Sequence, residues 1–353
     1  MKVTIIIGLY NVANHLKNKK LSCILNQTYK NIEIILVNDG SSDDTAKLCN
    51  EIKKNNARVR VINKKNGGLG SARNAGLDSA TGDYIWFYDV DDEVELNLIE
   101  VNVAVINKYN VDMTLFGINV IDMATGYSEH VVHRERLIEN NDQFKKAYIE
   151  LFVDSKHGNG FNWNKFYKRD LIERNKFRFG DNRIQQDEVF NIQLYPLIDR
   201  LYVLNLPLYH YYLYRSGTNR CRYISNRFEI YSDVYSRLSK FCDSWLDGDE
   251  YYQAKIDQRF YSGLLNTVDY NLLHTDCPFS FKEKVNYVKK ILSHGLTRKM
   301  LASHNVKRFS ILDLLIYRSA EKNYPAIMLV LLGVISIARI IRDKLFVVKS
   351  RAR

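Results

Sequence analysis

Short apolar runs alternate with amphipathic stretches through the first hundred residues. Residues 3–7 are apolar and β-branched, Tyr10-Asn11-Val12 interrupts them, and residues 15–25 repeat at helical spacing. A second apolar run, 32–37, ends in Asn38-Asp39-Gly40-Ser41-Ser42-Asp43, where Ser42 or Asp43 can cap a helix continuing to Lys53. Residues 59–62 read as a third strand, Asn66-Gly67-Gly68-Leu69-Gly70 as a loop, and residues 71–79 as a helix stopped by Thr81-Gly82. A fourth strand, 84–88, runs into Asp89-Val90-Asp91-Asp92. Apolar strands separated by helices predict an α/β domain with a parallel sheet covered on both faces. Ligands of such sheets bind at the carboxyl ends of the strands. Every polar cluster just named falls at such an end.

From about residue 97 to 215 the pattern stays mixed α/β, with further strands expected at 113–116 and 200–204. After Asn219 it becomes helical and aromatic-rich, through Tyr231, Tyr235, Phe241, Trp245 and Tyr261. The division expected is therefore 1–218, a mainly helical region 219–321, and a tail 322–353. Within the tail, residues 325–338 are nearly all apolar, shorter than the roughly 20 that a spanning helix needs. An interfacial helix is the reading preferred, and a packing or homodimer helix is the alternative.

Composition narrows the class. The 353 residues are 46% hydrophobic with four prolines and no low-complexity tract, which excludes a disordered chain or a stalk. Met1-Lys2 leads straight into residues 3–7, too short a run for a secretory leader, and five cysteines without a C-x-x-C pair fit a reducing cytoplasm. Residues 282–353 hold sixteen basic and four acidic side chains, so all of the +11 net charge resides there. A nucleic-acid protein would carry that charge on its recognition domain. A basic tail beside an apolar stretch suits the anionic inner face of a cell membrane.

Candidate chemistry clusters on one rim. Carboxylates spaced as in Asp89-Val90-Asp91-Asp92 can converge on a hard cation, Mg²⁺ or Mn²⁺, although helix capping explains such a cluster equally well. Asp39 can accept from a nucleobase or ribose, or serve an Asx turn. Tyr10 offers a ring face for a base. The loop at Gly67-Gly68 opens a helix whose first turn carries Arg73, a cation that implies an anionic partner, phosphate or carboxylate. Asp187, in Gln185-Gln186-Asp187-Glu188, stands at a helix start where a general base can sit.

Together these stretches resemble family 2 of the glycosyltransferases, of the GT-A fold. The resemblance rests on residues 5–11, 26–43, 66–76 and 81–92, four motifs in order, and extends through Trp163-Asn164-Lys165-Phe166-Tyr167 and Gln186-Asp187. It implies a Rossmann-like, mostly parallel sheet and an inverting, metal-dependent transfer of a hexose from a UDP-sugar to a glycan hydroxyl. Tyr10 and Asn11 would line the uridine pocket, Asp39 would bind the uracil edge and Arg73 would lie near the nucleotide. Asp89 would contact ribose or metal-bound water, Asp91 would ligate Mn²⁺ or Mg²⁺, Asp187 would be the base, and Trp163 and Asn164 would lie on the acceptor side. Two departures stand out. Gly8 replaces the usual proline, which is expected to loosen the first loop, and Gln186 replaces the usual glutamate, leaving Glu188 as a rival base. His210 is expected as a satisfied histidine beside the sheet.

Rival classes remain open at this point. A nucleotidyltransferase would show a glycine-rich loop directly after the first strand, and Gly8-Leu9-Tyr10-Asn11 is not one. Gln186 leaves room for a catalytically inactive, membrane-attached binding module. Nucleic-acid binding, suggested by a pI near 9.2, is disfavoured by where the charge lies.

Overall fold

The computed structural model describes the chain apart from residues 157–159, 183, 215–222, 304–309 and 352–353, and gives only the backbone of 303 and 339–351. Two compact units result, 1–215 and 216–353. The boundary expected at 218/219 lies outside the described residues.

The first unit opens with β1 (Val3–Leu9), α1 (Ala13–Lys17), α2 (Ser22–Leu25), β2 (Ile32–Asp39), α3 (Thr45–Asn55) and β3 (Val59–Lys64). It continues with α4 (Leu69–Ser79), β4 (Tyr84–Phe87), β5 (Glu93–Val94), α5 (Leu98–Tyr109), β6 (Met113–Asp122), β7 (Ser128–Val131) and β8 (Arg136–Ile138). Then come α6 (Asn141–Tyr148), β9 (Lys165–Lys168), α7 (Arg169–Arg174), α8 (Gln186–Leu194) and β10 (Leu201–Leu213). One sheet runs β3-β2-β1-β4-β9-β6-β10-β5, with β7 added beside β6 and β8 beside β10. Its leading half, β3-β2-β1-β4, is parallel as expected. Every residue of β2 is buried, which is why its polar positions are so few.

Farther on, the sheet is mixed. β9 inserts antiparallel between β4 and β6, a strand that the periodicity did not reveal because it is only four residues long. β10 extends well past the expected 200–204, since Pro207 is absorbed by register shifts on either side and the Tyr-rich run then pairs on with β6. The helix expected to be capped by Ser42 or Asp43 starts at Thr45 with Asp44 in the capping position. Asp43 accepts from the Thr45 amide and from the Ala13 amide, both at 3.0 Å, tying α3 to α1.

Glu33 stitches the amino-terminal edge of this sheet. Its carboxylate accepts from Thr4 Oγ1 at 2.8 Å on β1, Arg60 Nη1 at 2.8 Å on β3 and the Thr81 amide at 3.0 Å before β4. Burial alone would push its pKa up. The Thr81 amide, Arg60 and the two threonine hydroxyls outweigh that and hold it at about 2, below the ordinary 4.5.

The second unit consists of α9 (Arg227–Trp245), α10 (Glu250–Thr267), α11 (Phe281–Leu292), α12 (Gly295–Ser303), α13 (Ile311–Glu321) and α14 (Pro325–Arg351). Of the aromatic positions noted in the sequence, Tyr235, Phe241, Trp245 and Tyr261 are buried in its core and Tyr231 is half-buried; Tyr235 stacks on Phe260 at 4.5 Å and donates to buried Asp257 at 2.8 Å. Ser280 with Glu283 and Ser310 with Asp313 build capping boxes on α11 and α13. α14 runs unbroken for 27 residues, beyond the apolar stretch that ends at Ala338. Its Met328, Leu329 and Leu332 are buried, so the first turns of α14 pack within the second unit. Among the described residues no helix is long and apolar enough to cross a membrane.

A depressed folded-state pKa stabilises the protein above the unfolded value, and that stability is lost as pH falls through the folded one. Urea midpoints of the wild type should therefore decline between pH 4.5 and about 2, and Glu33→Gln should be less stable at neutral pH with a shallower acid slope. Equal slopes for the two proteins would remove Glu33 from this role.

Candidate active site

Turns at the carboxyl ends of β1 and β2 interlock first. Tyr10 leaves its ring 49% exposed at the end of β1. Asn11 takes a left-handed backbone (φ 51°), which asparagine tolerates, and its Oδ1 accepts from the Ser42 amide at 2.9 Å. Gly8 precedes this turn. It lies inside β1 opposite Val37, where a Cβ would sit 2.8 Å from Leu69 Cδ1 and 3.3 Å from Ala72 Cβ of α4.

Asp39, last in β2, is buried under the glycine loop. It accepts from Lys64 Nζ at 2.7 Å and from the amides of Gly67 and Gly68 at 3.0 and 2.7 Å. Gly68, at φ 87°, has the left-handed conformation that lets the loop close over the carboxylate. Three donors meet a carboxylate with about four lone-pair sites, so Asp39 keeps acceptor capacity for a further N–H.

Arg73 sits one turn into α4 and is 2% exposed. Its guanidinium spans two carboxylates, with Nη2 3.0 Å from Asp89 Oδ1 and Nη1 2.5 Å from Asp187 Oδ1. Phe87 and Phe179 flank it, with ring centroids 5.7 and 5.4 Å away. Burial opposes the cation, but the adjoining Asp187 and Asp89 raise its pKa and keep it charged. At Asp89, burial pushes the pKa up, Arg73 draws it back, and nearby Asp91 and Asp187 raise it again; the net direction is upward. Arg73 therefore has carboxylate partners, one of the two anionic kinds, phosphate or carboxylate, that its place in the helix implied.

The three aspartates after β4 differ in what they face. Asp89 is half-buried on Arg73, Asp91 is exposed, and Asp92 is buried. Asp92 accepts from Tyr209 Oη at 2.8 Å and the Tyr212 amide at 3.1 Å, locking β10 to the turn. The site therefore presents hard oxygen donors from Asp89 and Asp91. Among the described residues, no group of three or more His, Cys, Asp or Glu is placed to hold a metal by itself. Mg²⁺ and Mn²⁺ need only one or two carboxylates when substrate phosphates and water complete the shell, so the donor set fits such an ion.

Asp187 arrives from far along the chain, in the first turn of α8 after Gln185 in a left-handed conformation (φ 59°). Two devices bring it in. Asn74 of α4 exchanges hydrogen bonds with the Phe179 backbone at 2.9 and 2.8 Å, and the Asn162 amide donates to Asp187 Oδ2 at 3.4 Å. Gln186 is buried against α4, where a Cβ on Gly70 would lie 2.5 Å from its Oε1 and 2.9 Å from Gly180 O. Glu188 lies against Gly160 instead.

Trp163 and Asn164, expected on the acceptor side, are both buried. The Trp163 indole stacks on Tyr209 at 4.3 Å and Phe161 at 4.8 Å, and its carbonyl accepts from Trp86 Nε1 at 2.7 Å. Asn164 Oδ1 accepts from Lys165 Nζ at 2.7 Å. Lys165 is itself buried, which drives its pKa well down. This layer supports the site from beneath. His210 faces Glu95 at 3.0 Å and Asn119 at 3.4 Å, satisfied as expected. Periodicity gave no sign of the parts played by Lys64, Asn74 and Phe179. Only Asn74 carried a signal, since it falls within the third of the four family motifs.

The family model described as glycosyl transferase family 2 matches residues 4–176. Glycosyltransferase GlyA of Streptococcus pneumoniae is 33% identical over 62% of this chain and 32% of its own length. Putative glycosyltransferase EpsH of Bacillus subtilis is 30% identical over 68% of both chains. The chain thus spans about a third of the first relative and about two thirds of the second. Residues 1–349 of S. aureus TarS share the fold with a TM-score of 0.64 at 16% identity, over 94% of this chain and 90% of that one. The fold is GT-A, and the chain belongs to glycosyltransferase family 2.

Removing one member of a buried ionic group costs about 3–5 kcal/mol because the remaining charges lose their partner. Arg73→Met should accordingly lower unfolding free energy by about 3 kcal/mol in urea titration, with Arg73→Lys falling between. A loss below about 1 kcal/mol for Arg73→Met, the range of exposed pairs, would show that solvent rather than Arg73 neutralises Asp89 and Asp187.

Proposed function

We propose that the protein transfers a hexose from a UDP-sugar to a hydroxyl of a glycan acceptor in a single inverting displacement. One observation carries this reading: Asp89 and Asp187, distant in sequence, share the Arg73 guanidinium beside exposed Asp91. A nucleotide-binding half and a base are thereby joined. The solved complex of TarS with UDP-GlcNAc, a protein of the same fold, supports the choice of nucleotide.

In this reading the Tyr10 ring stacks on uracil and Asn11 keeps the turn that presents it. Asp39 accepts the uracil N–H with the acceptor capacity that the loop amides leave on its carboxylate. Asp91, with Asp89, would hold Mn²⁺ or Mg²⁺, which supplies neutralisation of charge on the departing diphosphate. Asp187 takes the acceptor proton as the hydroxyl attacks the anomeric carbon from the side opposite the diphosphate. Arg73 orients Asp187 for that step through Oδ1. Gln186 faces α4, which favours Asp187 over its neighbour as base, and the position of Glu188 against Gly160 favours it over that rival. The acceptor is a lipid-linked, cell-surface or protein-attached glycan. The charge of residues 282–353 supports a peripheral position at the cytoplasmic face of an anionic membrane, where nucleotide sugars are available.

A panel of UDP-sugars with Mn²⁺, followed by UDP release, tests the donor class, and absence of release with every sugar would refute it. Asp187→Asn should lower turnover about a hundredfold or more while leaving donor KM within a few-fold. If Glu188→Gln is the inactive variant instead, the base is one residue later. Asp91→Ala should abolish the response of turnover to added Mn²⁺; an undiminished response would remove Asp91 from the metal.

A further inference from the structure

The second unit carries an apolar surface that its own core does not use. α13 buries Ile316, Tyr317 and Ala320, and α14 buries Met328, Leu329 and Leu332. Away from those contacts, Ile311 and Leu315 in the opening stretch of α13, all of it exposed through Leu315, and Ile327, Val330, Val334 and Ile337 of α14 are each between 52 and 83% exposed. The four on α14 recur at intervals of three and four, so they form one stripe about 15 Å long. Soluble proteins seldom leave so many large aliphatic side chains in water together, and such patches mark an interaction surface.

The two helices form a fixed hairpin. The Tyr324 amide donates to Ser319 O at 2.7 Å, Asn323 turns the chain with φ 56°, and Arg298 Nη1 donates to Glu321 O at 2.8 Å. Tyr324 itself is exposed beside the stripe, and an amphipathic ring suits a boundary between apolar and wet surroundings. In the sequence, the apolar spacing continues through Ile341, Leu345 and Val348, interleaved with Arg342, Lys344, Lys349 and Arg351.

Charge decides the occupant. Residues 282–353 carry a net charge of +12. A second copy docked on this face by two-fold symmetry would set two such segments against each other. Anionic headgroups would neutralise them instead. We propose that the α13–α14 face lies in the headgroup region of an anionic bilayer, with its aliphatic stripe at the acyl boundary and the basic residues on lipid phosphates. The inference rests on the peripheral reading above and goes beyond it by naming the surface: a folded two-helix face that includes α13, upstream of the apolar tail.

The test is co-sedimentation of the full chain with vesicles of equal parts phosphatidylglycerol and phosphatidylcholine, and with phosphatidylcholine alone. The wild type should bind the anionic vesicles, and lose that binding in high salt. Because the substituted positions are exposed, Ile311→Asp with Leu315→Asp on α13, and separately Val330→Asp with Val334→Asp on α14, should keep circular dichroism and UDP release unchanged. Each pair should weaken vesicle binding at least tenfold. If the wild type binds and both pairs bind equally well, the surface is misassigned while the peripheral reading stands. Failure of the wild type to bind at low salt overturns the peripheral reading and this surface together. A wild-type dimer that either pair converts to monomer, without vesicle binding, identifies the face as a self-association surface and overturns the lipid assignment.

Discussion

A buried arginine holds this active site together. Arg73 contributes one terminal guanidinium nitrogen to Asp89, on the turn after β4, and the other to Asp187, 114 residues beyond Arg73 itself. A planar fork satisfies two carboxylates in fixed geometry, which a lysine ammonium does not. Its burial requires the charge to be compensated, and the two carboxylates require the same of it, so the three groups are stable only as a set. The turn that carries Asp89 and the carboxylate proposed as base are therefore positioned by one interaction. Phe87 and Phe179 close its faces to water and strengthen the pairing by doing so.

Around that ion set, α4 must lie unusually close to the sheet. Gly76 permits it at one end, where a Cβ would come within 2.4 Å of Ile6 Cγ2, and Gly8 permits it at the other. The loop that starts the helix is fastened from below by Asp39 through two amides. A helix so anchored sets the height of Arg73 above the strand ends. The Asn74 clamp on Phe179 and the contact of Gln186 with Gly70 then dock the later segment on the same helix.

The opposite wall of the site is aromatic. Trp163, Tyr209 and Phe161 stack behind the loop whose amide reaches Asp187, while Asp92 ties Tyr209 to the carboxylate turn. Asp92 shares its motif with Asp89 and Asp91 but serves the fold. Burial raises its pKa well above the usual carboxylate range, and it takes hydrogen bonds from β10. Three adjacent carboxyl groups thereby acquire three roles from differences in burial alone. One faces solvent, one faces a guanidinium and one faces the core.

Much of the framework was legible in the linear chain. Alternation of apolar runs with amphipathic helices placed Tyr10, Asp39, Asp89 and Asp91 at strand ends, because backbone periodicity is a local property that each segment expresses by itself. The glycine loop and the cation in the first turns of α4 could be read in the same way, as could the aromatic helices of the second unit. Tertiary structure alone decided which groups meet. Nothing near Arg73 in sequence identifies Asp187 as its partner, and only the inserted antiparallel β9 with the loop before it brings Asn162 beneath that carboxylate. Burial of Trp163 and Asn164, the tight fit at Gly8, and the outward turn of Ile311 and Leu315 are decisions of the same kind. They depend on the surface that each side chain is packed against, and that surface is supplied by segments remote in sequence and exists only once the chain has folded.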